Sequence, residues 1–182
     1  MVNATINGIA VTVPEGTTIM EAAAQVGIQI PRLCYLKDIN EIGACRVCVV
    51  EVKRSDQLVT ACNHYVEEGM VIQTNSARAR RSRKTTIQLL LSQHRMNCPI
   101  CLRNGTCTLQ DIAGDMGILS VPFPAECEEY NWDDTFPIIR DASKCIKCMR
   151  CVNICEKVQG LGVWEVINTG YRTTIHVKDN LP

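Results

Sequence analysis

Twelve cysteines in 182 residues constrain this chain more than any other feature, because eleven of them fall into three spaced sets. The first is Cys34-x10-Cys45-x2-Cys48-x13-Cys62, and the second joins a histidine to three thiols as His94-x3-Cys98-x2-Cys101-x5-Cys107. The third is the run Cys145-x2-Cys148-x2-Cys151-x3-Cys155, and Cys127 stands apart. Thiols so grouped either pair as disulfides or bind metal. The opening MVNATINGIAVTVPEG has no basic stretch followed by an apolar core, so no export signal is read there. A reducing, cytoplasmic location is expected, where clustered cysteines bind metal more often than they pair. No apolar run approaches the roughly 18 residues needed to span a membrane. Nineteen acidic and nineteen basic residues cancel, so bulk charge makes no case for nucleic acid. Aromatics are 4% of the chain, which argues against a large ring-packed core and for small domains stapled at their metal sites.

The first 75 residues carry an α+β pattern. NATINGIAVTV reads as two strands around Asn7-Gly8, a strong two-residue hairpin signal. PEGTTIMEAAAQVGI gives a turn, a threonine cap and a short helix burying Ile19, Ala22, Ala23 and Val26, with Gly27 as its stop. RVCVVEVKR and MVIQTN are β-branched and alternating, hence strands. Hairpin, helix and further strands follow the order of a β-grasp domain. From Ser76, SARARRSRKTTIQLLLSQH is helical by composition, with Ile87, Leu90 and Leu91 as an apolar stripe. Arg78, Arg80, Arg81, Arg83 and Lys84 crowd its first half. A solvated helix face is expected there, a docking site for an acidic partner being the functional alternative; no aromatics interleave for base stacking. TCTLQDIAGDMGI is a short helix broken by Gly114 and Gly117. SVPFPAECEEYNWDDTFP, with its prolines and acids, is a linker, and GVWEVINTGYRTTIHVK reads as a hairpin turning at Asn168-Thr169-Gly170. Domain bounds are expected at 1–75, 76–120, 121–137 for the linker and 138–182.

Each cysteine set has a chemistry its spacing suits. Four thiolates of the first set can hold a [2Fe–2S] rhomb, two per iron, as in plant-type ferredoxins, although the gap of ten exceeds the plant-type four. Gly43 and Ala44 stand where backbone would pass close to inorganic sulfide with its amides free to donate. Zinc is the alternative. His94, Cys98, Cys101 and Cys107 suit structural zinc or a [4Fe–4S] cubane alike; in a cubane the neutral imidazole would make reduction easier. Cys145, Cys148 and Cys151 seat three corners of a [4Fe–4S] cluster. Cys155 points to a second cubane, as in two-cluster ferredoxins, or closes the same one. A glutamate follows it where proline is usual, and no cysteine occurs in the remaining residues. Cys127 is read as a surface or packed thiol, with a role as fourth ligand the alternative; His64 and His176 are read as ordinary histidines. GLGVWE lacks the G-x-G-x-x-G nucleotide pattern.

RLCYLKDINEIGACRVCVVEV, CPICLRNGTCTLQD and IIRDASKCIKCMRCVNICEKVQG, in this order, resemble the iron–sulfur N-terminal region shared by [FeFe]-hydrogenases, the large iron–sulfur subunit of complex I and NAD-linked formate dehydrogenases. The resemblance covers essentially the whole chain and leans to NAD(P)-linked, electron-bifurcating [FeFe]-hydrogenases. It implies a β-grasp [2Fe–2S] domain, a small helical [4Fe–4S] domain with one histidine and three cysteine ligands, and a partial bacterial-ferredoxin-like [4Fe–4S] segment. It further implies that the fourth ligand of the last cubane and the catalytic domain lie beyond this chain, and that a flavin- and NAD(P)-binding subunit and other iron–sulfur subunits are its partners. The expected function is single-electron relay, with no catalytic residue in these 182. Relay in a complex-I-like or formate dehydrogenase subunit, or as a stand-alone small carrier, is the alternative.

Overall fold

Asn7 and Gly8 both take left-handed backbone angles, φ 51° and 88°, the pair a tight two-residue hairpin needs. They join β1 (Val2–Ile6) to β2 (Ile9–Val13), antiparallel in the register Val2 to Val13. The computed structural model describes residues 1–53, 55–124, 127 and 140–178. It divides into two units, Met1–Tyr35 with Glu41–Thr86, and Leu36–Asn40 with Ile87–Pro182.

In the first unit β3 (Val49–Val52), β4 (Leu58–Thr60) and β5 (Met70–Gln73) complete a five-stranded sheet of order β2-β1-β5-β3-β4. β1 and β5 run parallel and the other pairs antiparallel. Period-two alternation sends Ala4, Ile6, Val11 and Val13 to one face, where they join Val50 and Ile72 in the core. The helix α1 (Ile19–Gln25) lays Ile19, Met20, Ala22 and Ala23 into that core, while Val26 is half-buried at its edge. The mixed sheet with its helices is α+β, as expected. Two details differ from the sequence reading. RVCVVEVKR enters the sheet only at Val49, which leaves Cys45 and Cys48 in loop, and β4 is an extra strand whose three residues are too few to show alternation.

α1 begins with a capping box. Thr18 Oγ1 accepts from the Glu21 N–H and Glu21 Oε2 accepts from the Thr18 N–H, both at 3.3 Å. The next two helix amides, orphaned by position, donate to carbonyls of the chain around Cys62: Ile19 to His64 at 2.8 Å and Met20 to Ala61 at 2.9 Å. Gly27, at φ 76°, stops the helix as expected.

α2 (Ala77–Ser92) starts at Ser76, whose Oγ accepts from the Ala79 N–H at 3.1 Å. Its Arg78, Arg80, Arg81 and Lys84 are exposed, but Arg83 is buried, against the expectation of a wholly solvated face. In the second unit α3 (Thr108–Asp115) contains Gly114 within its last turn rather than breaking there, and Gly117 at φ 57° follows its end. α4 (Arg150–Lys157) precedes the antiparallel hairpin of β6 (Trp164–Ile167) and β7 (Thr174–Val177), which turns through Asn168 and Gly170 as read. Most of the Pro-rich segment lies outside the described residues; Cys127 is exposed. Among the described residues no helix is long and apolar enough to cross a membrane.

Thr18→Ala is expected to lower the unfolding free energy by about 1 kcal/mol, and Thr18→Ser by much less. Equal losses for the two in a urea titration would assign the effect to the threonine methyl rather than its hydroxyl.

Candidate metal centres

All four cysteines of the first set lie in the first unit, at the ends of loops that the sheet and α1 hold still. Cys34, Cys48 and Cys62 are no more than 1% exposed, and Cys45 is 7%. Their thiols pair as Cys34 with Cys45 and Cys48 with Cys62. In each pair one thiol keeps the shared proton. The hydrogen bond to Cys45, then burial, pushes Cys34 up, and Cys48 does the same to Cys62. The acceptors go the other way: Cys45 is lowered to about 6, first by the bond from Cys34 and further by the N–H groups of Val47, Cys34 and Leu33. Cys48 is lowered chiefly by Cys62. Amides aimed at sulfur stabilise thiolate, the form that binds metal. Gly43, at φ 64°, is indispensable to this loop, because an added Cβ would stand 3.1 Å from Asn63 Nδ2 and 3.2 Å from Thr60 Oγ1. Arg46 shares the left-handed conformation at φ 51°.

The third set lies in the second unit. Cys145 closes a 3-10 turn at Ala142–Lys144, and Cys151 and Cys155 sit one turn apart on α4. Between Cys145 and Cys151, Lys147 and Met149 are left-handed, φ 54° and 63°, a conformation that turns backbone amides toward one side. The Lys147 N–H donates to Cys145 Sγ at 3.4 Å. Cys151, exposed at the surface, is raised first by partial desolvation and also by the neighbouring Cys148 and Cys145. Cys155 is 3% exposed. A residue that the spacing rules miss fixes this loop. Asn40 is fully buried; its Nδ2 donates to the Cys148 carbonyl at 2.9 Å and its Oδ1 accepts from Asn153 Nδ2 at 2.5 Å. Lys157 Nζ donates to the neighbouring Ile39 carbonyl at 2.8 Å. The unusual length of the Cys34–Cys45 gap was the sequence signal for it.

In the second set His94 and Cys101 share Lys144 as neighbour. Burial, then Lys144, keeps His94 below its ordinary range and so neutral, with Asp141 opposing. Its buried Nδ1 has no hydrogen-bond partner, an orphan of the sort a metal would satisfy. Cys101 is lowered first by the Arg103 N–H and also by Lys144. Cys98 opens a 3-10 turn at Cys98–Ile100 and its carbonyl accepts from Cys101 N–H at 3.1 Å, while Cys107 precedes α3. His64, exposed, and His176, half-buried on β7, stand outside the three sets, as read. All twelve cysteines are free thiols. Among the described residues no three His, Cys, Asp or Glu side chains converge to the radius of a single ion.

Two family models match these regions. Residues 1–77 match a 2Fe-2S iron-sulfur cluster binding domain, and residues 83–122 match the NADH-ubiquinone oxidoreductase-G iron-sulfur binding region. Over these two regions the chain is similar to the iron–sulfur proteins of complex-I-like assemblies. Domains for both [2Fe–2S] and [4Fe–4S] clusters are therefore present. Among its relatives is the NADP-reducing hydrogenase subunit HndD of Solidesulfovibrio fructosivorans, 41% identical over 96% of this chain and 31% of its own length. The NADPH-Fe(3+) oxidoreductase subunit alpha of Geobacter sulfurreducens is 38% identical over the whole chain and 22% of its own. A crystal structure of NAD+-reducing [NiFe]-hydrogenase superposes with a TM-score of 0.85 at 25% identity, covering 97% of this chain and 75% of that one. The chain spans less than a third of the length of these two curated relatives.

Asn40→Ala removes the one donor that Asn40 gives the Cys148 carbonyl and is expected to cost about 1–3 kcal/mol of stability. Asn40→Asp, which keeps the volume but not the amide donor, should recover little of it. Thermal unfolding of the three chains checks this, and an Asp variant as stable as wild type would remove Asn40 from the role.

Proposed function

We propose that this chain is an iron–sulfur electron relay in an NAD(P)-linked oxidoreductase. Cys34, Cys45, Cys48 and Cys62 would hold a [2Fe–2S] cluster; His94, Cys98, Cys101 and Cys107 a [4Fe–4S] cluster; and Cys145, Cys148 and Cys151 three corners of another. Cys155, a turn beyond Cys151, either completes that last cubane or serves a second. Such clusters supply one-electron transfer when bound. The observation that carries the reading is the first set: four buried thiols in proton-sharing pairs, with backbone N–H groups turned toward Cys45, inside the segment matched by the 2Fe-2S domain. Burial excludes water there, and the amides bear on the sulfurs that set the potential. The orphaned Nδ1 of a neutral His94 supports its place as a ligand.

Whole-protein activity follows the relatives as a proposal. An NADP-reducing hydrogenase and an NADPH-dependent iron oxidoreductase both carry this region. The relay is therefore assigned between a flavin- and NAD(P)-binding partner and a catalytic domain of [FeFe]-hydrogenase type outside these residues, in the cytoplasm. A complex-I-like setting is the second reading, favoured by the match at residues 83–122.

Iron and acid-labile sulfide on protein reconstituted without oxygen provide the test. About six irons per chain means two closed sites and an open third, and about ten means that Cys155 or Cys127 closes it; none would end the relay reading. Cys48→Ser should erase the [2Fe–2S] EPR signal and spare the others. His94→Cys adds a thiolate charge and should lower the potential of its cubane, and an unmoved potential would overturn the ligand role of His94.

A further inference from the structure

Arg83 is the least expected charge in the molecule. It lies on α2 in the stripe Ala79, Arg83, Ile87, four residues apart, whose outer members are fully buried. Arg83 itself is 3% exposed. Its Nε donates to the Val47 carbonyl at 2.8 Å, and one Nη donates to Val49 at 2.9 Å and Thr74 at 3.1 Å. Val47 and Val49 flank Cys48. The guanidinium therefore grips the backbone on both sides of a cysteine that is itself 1% exposed. Among the described residues no carboxylate pairs with it, and the charged group acting on it is Cys48. Isolated buried charge is costly, and an arginine kept at such a place needs an anion.

We propose that Arg83 is the buried counter-cation of the iron–sulfur cluster that Cys48 helps to hold, and that its charge favours the reduced state of that cluster. The inference rests on the reading that Cys34, Cys45, Cys48 and Cys62 bind a [2Fe–2S] cluster. On reduction, one electron from a low-potential donor converts one ferric ion to ferrous. The donor is oxidised by one electron, no bond breaks and no proton moves, because guanidinium stays protonated. Negative charge on the site increases by one. A fixed positive charge nearby stabilises that product more than the oxidised state. Arg83 is thus a positioning and charge-balancing residue rather than a cluster ligand. A unit charge roughly 10 Å away at an effective dielectric constant of about 20 changes an equilibrium by roughly tenfold or more.

The full 182-residue chain is reconstituted anaerobically and its [2Fe–2S] EPR signal titrated with a chemical reductant against ambient potential. Cys48→Ser identifies the signal. Arg83→Lys should titrate near wild type. Arg83→Gln should lower the ratio of reduced to oxidised cluster at the wild-type midpoint about tenfold, equivalent to about 59 mV for one electron. A loaded R83Q with the wild-type midpoint overturns the inference and leaves Arg83 as a backbone tie. Should R83Q hold no cluster, citrulline at position 83 keeps the Nε–H and one NH2 donor without the charge, and the same criterion applies. Cluster lost from both neutral variants yet held by R83K supports the charge role; loss from R83K as well overturns it. A wild-type chain with no [2Fe–2S] signal, or a signal surviving in C48S, instead defeats the ligand reading, and the inference falls with it.

Discussion

Thiolates repel one another, and four of them enclosed together cannot all ionise without a cation. The proton-sharing pairs of Cys34 with Cys45 and Cys48 with Cys62 are how this chain relieves that repulsion on its own. Much else in the first unit follows from holding those sulfurs close. The left-handed turns at Gly43 and Arg46 bend backbone around them, α1 commits its first amides to the chain beside Cys62, and Arg83 brings a positive charge to the carbonyls around Cys48. Each of these features is locally unfavourable or unusual. Together they make sense around a compact anionic group.

The second unit treats the same problem differently. Apart from the buried Cys155 its cysteines are more exposed, and lysines accompany them: Lys144 beside His94 and Cys101, and Lys147 inside the third run. Lys147 Nζ donates to Gln93 Oε1 at 3.2 Å and to the Tyr171 carbonyl at 3.0 Å, while its own amide serves Cys145. One residue thus braces the loop from outside with its side chain and supports the sulfur from inside with its backbone. An internal spacer of a C-x2-C motif is seldom read for such duty.

Local signals made part of this legible from sequence alone. Asn7-Gly8, the threonine cap of the first helix and Gly27 act within a few residues of where they stand, and ligand spacing is a local property of a loop. β4 was not legible because Leu58–Thr60 is too short to show a period. Asn40 and Arg83 were missed for a different reason. Both bind backbone carbonyls, which every residue has, across separations of 108 and up to 36 residues. No residue type at the receiving end announces the contact. Arg83 nonetheless left a trace: the face that runs through Ala79 and Ile87 passes through it, and helical phase outweighed the charge-run reading.

The segment Leu36–Asn40 lies between two cysteines of the first unit in sequence and belongs to the second unit in space. The two units are therefore interleaved along the chain, and no single cut separates them. A fragment ending at residue 77, the limit of the first family match, carries five residues whose packing partners it lacks. A fragment starting later lacks the asparagine that steadies its own Cys148 loop. A cut that respects only the order of the cysteine sets therefore removes residues from both units at once.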